Sequence, residues 1–225
     1  PINGDGSRVA DETIAALKAE DFADINAFLE NETARYGVKV APALRLTLMP
    51  ESAAIPPAPP HGGSALDTVW WSLKLRWWVY QQSGQLLPQL GVVKLFVLYH
   101  APEDGVALEH SLGLQKGLIG VVHAFADPGQ ARQNNIVIAH ELLHTLGATD
   151  KYGPGGRPLY PEGVADTALP EGMPQHEAEI MAGRYVNAAG RLVMPPGLAQ
   201  CVIGAKTAHE INLDAAFERR FGTGR

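Results

Sequence analysis

His140-Glu141-Leu142-Leu143-His144-Thr145-Leu146-Gly147-Ala148-Thr149-Asp150 is the stretch on which the reading of this chain turns. Two histidines four residues apart lie on one face of a helix. Imidazoles so placed can reach one zinc ion, and Glu141 beside the first can act as general base toward a water that the metal activates. Gly147 falls where a helix stops, because glycine tolerates the left-handed backbone of a C-terminal cap. The chain can then turn back and present Asp150 as a third ligand. Ile136, Val137, Ile138 and Ala139 before the motif, with Leu142, Leu143 and Leu146 inside it, predict a buried helix over about 131–146. H-E-x-x-H alone arises by chance in unrelated helices; the glycine stop and the acidic residue after it supply the specificity.

Outward from the motif toward the N-terminus, Gly117–Phe125 and Val92–Tyr99 read as buried strands. The polar residues 103–114 between them hold a short strand or a loop. Residues 65–82 read as a helix apolar almost all round, with Trp70, Trp71, Trp77 and Trp78 in it. Asp67, Lys74 and Gln81 recur every seven residues and mark a thin wet stripe. The tryptophan cluster is a candidate ligand platform, but packing against a sheet is the simpler reading. Residues 50–63 are rich in Pro and Gly and read as an extended surface loop. Leu44-Arg45-Leu46-Thr47-Leu48 alternates and reads as a first strand. Ile14, Leu17, Ile25, Phe28 and Leu29 recur at helical spacing, so 9–36 is one broken helix or two. Residues 1–7 are expected to fray. Toward the C-terminus, Gly and Pro dominate up to about 174, and 206–219 read as a closing helix. The organisation expected is one catalytic domain, 1–225, with an upper part over 1–147 and a lower part over 148–225.

The motif resembles the signature of the metzincin clan of zinc endopeptidases, H-E-x-x-H-x-x-G-x-x-H, with Asp in place of the last His as in a minority of members. Glu179-Ile180-Met181-Ala182-Gly183 looks like the Met-turn of that clan. The resemblance implies a zincin-like α+β fold with a mixed sheet, a metal-binding active-site helix and a loop-rich lower lobe. It implies one catalytic zinc held by His140, His144 and Asp150, with Glu141 as the base, acting on a peptide or protein substrate. Met181 would form an apolar floor under the imidazoles. In that fold the strand before the metal helix is an exposed antiparallel edge with which substrate peptides pair, and Gly117–Phe125 would be that edge. Tyr152, Arg184 and Tyr185 flank the site, and a hydrogen bond from one of them could serve the developing oxyanion; Tyr185 is taken as the catalytic candidate. In some metzincins a Tyr two residues after the Met approaches the zinc. Gly183 holds that place here, and Tyr185 lies two residues further on. A carboxylate ligand also cancels one unit of metal charge, which makes an activated water less acidic than a three-His site would.

Asp166, Glu177 and Glu179 compete with Asp150 for the third ligand position, and a Glu on a second helix would make the protein a gluzincin instead. The acidic, Gly-rich stretch 150–172 is a candidate for structural calcium, although it lacks the Asp spacing of an EF-hand. His61, His100, His110, His123, His176 and His209 show no ligand spacing with one another and read as surface or hydrogen-bonded histidines, His123 being the one whose strand should border the cleft. A net charge of −6 argues against non-specific nucleic-acid binding. No stretch has the length of a transmembrane helix, so no membrane insertion is expected in this segment. Cys201 is the only cysteine, which excludes an intrachain disulfide. The peptidase resemblance suggests an exported protein (extracellular, periplasmic or membrane-tethered), and a removed signal peptide or anchor would fit the start at Pro1. A monomer is expected. Two other functions compete: a non-proteolytic zinc-bound module that holds a peptide, and a zinc hydrolase of a non-peptide amide. Glu141 argues against the first, since a structural zinc takes four protein ligands and needs no base. An open edge strand would favour peptides, and a closed pocket a small substrate.

Overall fold

The computed structural model describes residues 1–38, 45–60, 65–83, 91–103, 111–113 and 118–214. Its architecture is mixed α+β. Strand β1 (Ile2–Asn3) leads into helices α1 (Arg8–Ala16) and α2 (Ala23–Arg35), then α3 (Ala65–Ser83). Strands β2 (Lys94–His100), β3 (Leu112–Gly113) and β4 (Ile119–Phe125) follow, then helix α4 (Ala131–Leu146). Beyond α4 come short pieces: β5 (Ala178–Glu179), β6 (Tyr185–Val186), β7 (Leu192–Val193), β8 (Cys201–Val202) and α5 (Ala205–Glu210).

The main sheet has the order β1-β2-β4-β3. β1 and β4 run parallel to β2, with Ile2 opposite Leu98 and Val97 opposite Val122; β3 runs antiparallel to β4. Alternation of side chains gives the two faces different partners. Val97, Tyr99, Val122 and Ala124 point into the larger core, against α1, α2 and the apolar face of α4. Leu98, Ile119 and Val121 point the other way and meet Ile2 and one stripe of α3, namely Trp71, Leu75 and Val79. The two long central strands, apolar on both faces, are thus covered by helices on both sides, as parallel strands require.

Four expectations change. Residues 1–7 do not fray: Ile2 is buried, Gly4 N–H donates to the Tyr99 carbonyl, and Asp5 accepts from Ala101 N–H. Residues 45–48 form no strand; Leu46 and Leu48 lean on the larger core as irregular chain, and Leu44 lies outside the described residues. The strand before α4 is not an antiparallel edge. β4 pairs in parallel with β2 along its length, and β3 lies outside it. Alternation alone does not reveal which strand is central, because that depends on pairing partners distant in sequence. The closing helix ends at Glu210, with a turn through Asn212 in left-handed conformation; 215–219 lie outside the described residues.

Candidate metal centre

α4 carries the motif, and its placement begins with two asparagines. The buried Asn134 side chain accepts from Phe125 N–H and donates to the Phe125 carbonyl, at 3.0 and 2.9 Å. Asn135 donates to the Asp21 carbonyl and to the Asp24 carboxylate. The first turn of α4 is therefore pinned to the end of β4 and to α2. Ile136, Ile138, Ala139, Leu142 and Leu143 seat the rest in the core. At the far end Gly147 has φ 116°, and the N–H groups of Gly147 and Ala148 return to the Leu143 carbonyl. This left-handed cap reverses the chain and brings Asp150 back over the helix.

His140 and His144 meet Asp150 there. Asp150 Oδ1 lies 3.1 Å from His140 Nε2 and 3.2 Å from His144 Nε2. The other ring nitrogens are taken: His140 Nδ1 lies 3.0 Å from the Ile180 carbonyl and His144 Nδ1 lies 2.9 Å from the Ala148 carbonyl. A carbonyl only accepts, so each Nδ1 carries its proton, and in the neutral ring Nε2 presents a lone pair. Two lone pairs and an anionic oxygen cannot satisfy one another; a cation between them can. Four tetrahedral bonds of zinc length place ligand atoms about 3.3 Å apart, close to the spacing seen. The residues present fit the ion. Burial lowers the His144 pKa, but hydrogen bonds to Asp150 and Ala148 outweigh it and raise it above its ordinary value. Burial likewise pushes the Asp150 carboxyl up, and the two imidazoles hold it well below the usual carboxylate range.

Glu141 is 5% exposed, and its carboxylate joins both histidines in a cluster whose ligand atoms lie within 4.8 Å of one another. Burial, together with the nearby charges of Asp150 and Glu141, raises the Tyr152 pKa above its ordinary value. Tyr185 stands elsewhere: it lines a cavity of about 120 Å³ with Arg157, Tyr160, Gln175 and Glu177. Among the described residues no hydrogen bond joins the Tyr185 side chain to the histidines or Asp150, and Arg184 is exposed.

The rivals of Asp150 are placed away from the cluster. Glu179 is fully buried and accepts from Ala182 N–H, Gly204 N–H and the Thr207 hydroxyl. Glu177 lines the cavity, and Asp166 accepts from Ala168 N–H. Residues 180–182 form a tight turn, with Ala182 and Gly183 N–H returning to the Glu179 carbonyl and Met181 fully buried. This turn supplies both the carbonyl that orients His140 and, through Met181, the carbonyl that receives Lys151 N–H. Among the described residues no second acidic or histidine cluster of three occurs in 150–172.

Spacing did not single out three features. Lys151 is 1% exposed and bonds the Thr149 carbonyl, the Thr149 hydroxyl and Glu210. Its side chain turns inward while its neighbour Asp150 turns to the metal cluster. The carbonyls of Ile180 and Ala148 are backbone groups, for which side-chain identity carries no signal. His100 and His123, on β2 and β4, face each other with Nε2 and Nδ1 2.9 Å apart, a meeting that their separation in sequence hides. His61 and His110 lie outside the described residues. No family model, curated relative or solved structure matches the chain.

Proposed function

We propose that this chain is a zinc-dependent metallopeptidase of the metzincin-like type. The observation that carries the reading is the pair of imidazoles whose Nδ1 protons are committed to backbone carbonyls and whose Nε2 atoms converge on Asp150. His140, His144 and Asp150 would hold the ion. Zinc bound there supplies Lewis acidity toward water and a substrate carbonyl. Glu141 takes the proton of the attacking water and returns it to the leaving amine. Tyr152, on which the charges of Asp150 and Glu141 act, is favoured over Tyr185 as the donor of a hydrogen bond to the oxyanion. The Asp150 side chain is 44% exposed, so the cluster opens to solvent, as attack on a polymeric substrate needs. An extended peptide would add to β3, the outer strand beside β4, rather than to β4 itself.

The test is metal content and cleavage of a diverse peptide library by wild type and Glu141→Gln. One zinc per chain in both proteins, with cleavage lower by about 10²–10⁴-fold in the variant, is the expected result. Cleavage at the wild-type rate by Glu141→Gln would overturn the mechanism. Zinc without peptide cleavage in the wild type would favour the hydrolase of a non-peptide amide.

A further inference from the structure

Helix α3 has two apolar faces, and the sheet uses one. Trp71, Leu75 and Val79 are buried against it. On the opposite side Leu66, Val69, Trp70, Leu73 and Trp77 are between 52% and 79% exposed. Monomers rarely leave so large a contiguous apolar stripe in water. Its spacing is ordered: Leu66, Trp70, Leu73, Trp77 and Tyr80 follow steps of four, three, four and three. That is the a/d seam by which one helix packs lengthwise on another. Asp67 and Lys74 flank the seam on one side, and Val69 and Arg76 on the other.

We propose that this seam is a dimer interface, in which α3 of a second copy packs antiparallel across it. The direction follows from residue sizes and charges. Antiparallel packing sets a against d, so Trp70 meets Leu73 and Leu66 meets Trp77 in every layer, each a large side chain against a smaller one. Parallel packing would stack Trp70 on Trp70 and Trp77 on Trp77, with Leu on Leu between. In the same antiparallel register Lys74, whose Nζ lies 5.9 Å from the centroid of its own Trp70 ring, comes opposite Asp67 of the other copy, so unlike charges face each other at two symmetric positions, while Arg76 comes opposite Val69. The stripe presents on the order of 600 Å² of apolar surface per copy, so the pair would bury about 1,200 Å². That reaches the range of specific interfaces. The occupied face of α3 stays on its own sheet, so association needs no refolding.

Sedimentation velocity over a micromolar concentration series tests this, with Leu73→Glu, Trp77→Glu, Asp67→Lys, Lys74→Asp and the double exchange Asp67→Lys/Lys74→Asp. The wild type is expected to dimerise, and both glutamate variants to be monomeric with an unchanged far-UV circular dichroism spectrum, since these positions face water in the single copy. Each single charge reversal should weaken the dimer on the order of tenfold, by placing like charges opposite each other at two symmetric sites, and the double exchange should restore it. A wild type that stays monomeric throughout overturns the proposal, and so does a dimer indifferent to the glutamate variants. Failure of the double exchange to rescue the single reversals overturns the antiparallel arrangement.

Discussion

At each imidazole of the metal cluster a backbone carbonyl holds one nitrogen, and this decides what the other nitrogen can do. The Ile180 and Ala148 carbonyls fix the Nδ1–H tautomer, so in the neutral rings Nε2 presents a lone pair, as the proposed metal site requires. In the proposed site Asp150 would complete the set, and Asp150→Ala should then weaken zinc binding at least about a hundredfold, as read by competition with a chelator. Unchanged affinity would remove Asp150 from the ligand set. Next to it, Lys151 and Glu210 form a pair 2.8 Å apart beneath the loop. Burial raises the Glu210 carboxyl, but its hydrogen bonds to Lys151 and Thr149 outweigh this and hold it below its ordinary 4.5. A carboxyl depressed by folding stabilises above its unfolded pKa, and that contribution is lost as pH falls through the folded value. Glu210→Gln should therefore be less stable than wild type at neutral pH, with the gap narrowing as pH drops below about 4. Urea denaturation across that range reads the gap; a constant difference would mean that the ion pair contributes nothing.

At the scale of elements, α4 is held by its ends. Asn134 satisfies both backbone groups of Phe125. Asn134→Ala leaves a half-buried N–H and carbonyl without their partner, which should cost about 1–3 kcal/mol in denaturant unfolding. A loss under about 0.5 kcal/mol would show that water replaces the side chain. At the other end, the segment after Asp150 is clamped between the Met181 turn and residues 159–163. A Cβ at Gly163 would sit 2.2 Å from the Lys151 carbonyl oxygen and 2.8 Å from Leu159 N, both backbone atoms. Gly163→Ala is expected to lower stability by about 1–3 kcal/mol and to weaken metal binding as well, because Lys151 cannot shift without Asp150. If stability falls and metal affinity holds, the clamp is not what places the ligand.

At the scale of the whole molecule, one core joins the parts: Ile136, Ile138, Leu142 and Leu143 of α4 share a cluster with Ile180, Met181, Leu198 and Ile203 from beyond the metal loop. A metal that ties α4 to that loop should therefore report on global unfolding. At a thousandfold excess over its dissociation constant it would add about 4 kcal/mol, so chelation should lower Tm by roughly 10 °C. Asp150→Ala, with its weaker affinity, should lose well over half of that response at the same metal concentration, and a wild type insensitive to chelator would sink the metal reading. The α4 helix, its glycine stop and the histidine pair were legible in residue order, because each rests on contacts within a few residues, whereas the turn at Met181 was expected only from the resemblance. The stretch 9–36 was legible as helical, as one broken helix or two, and the structure makes it two. Sheet order was not legible, since Ile2 and Leu98 are far apart in the chain, and a two-residue strand at a terminus has no pattern to read. The helix at 65–83 showed its apolar character in sequence, yet only packing separated the stripe that the sheet covers from the stripe left in water. Spacing nominated four acids as possible third ligands; burial of Glu179, the outward placement of Glu177 and Asp166, and the reversal at Gly147 left Asp150 beside the imidazoles. Local order thus determined the elements and the chemistry of their side chains, while the choice among equivalent residues fell to tertiary structure, because it depends on distances between groups remote along the chain.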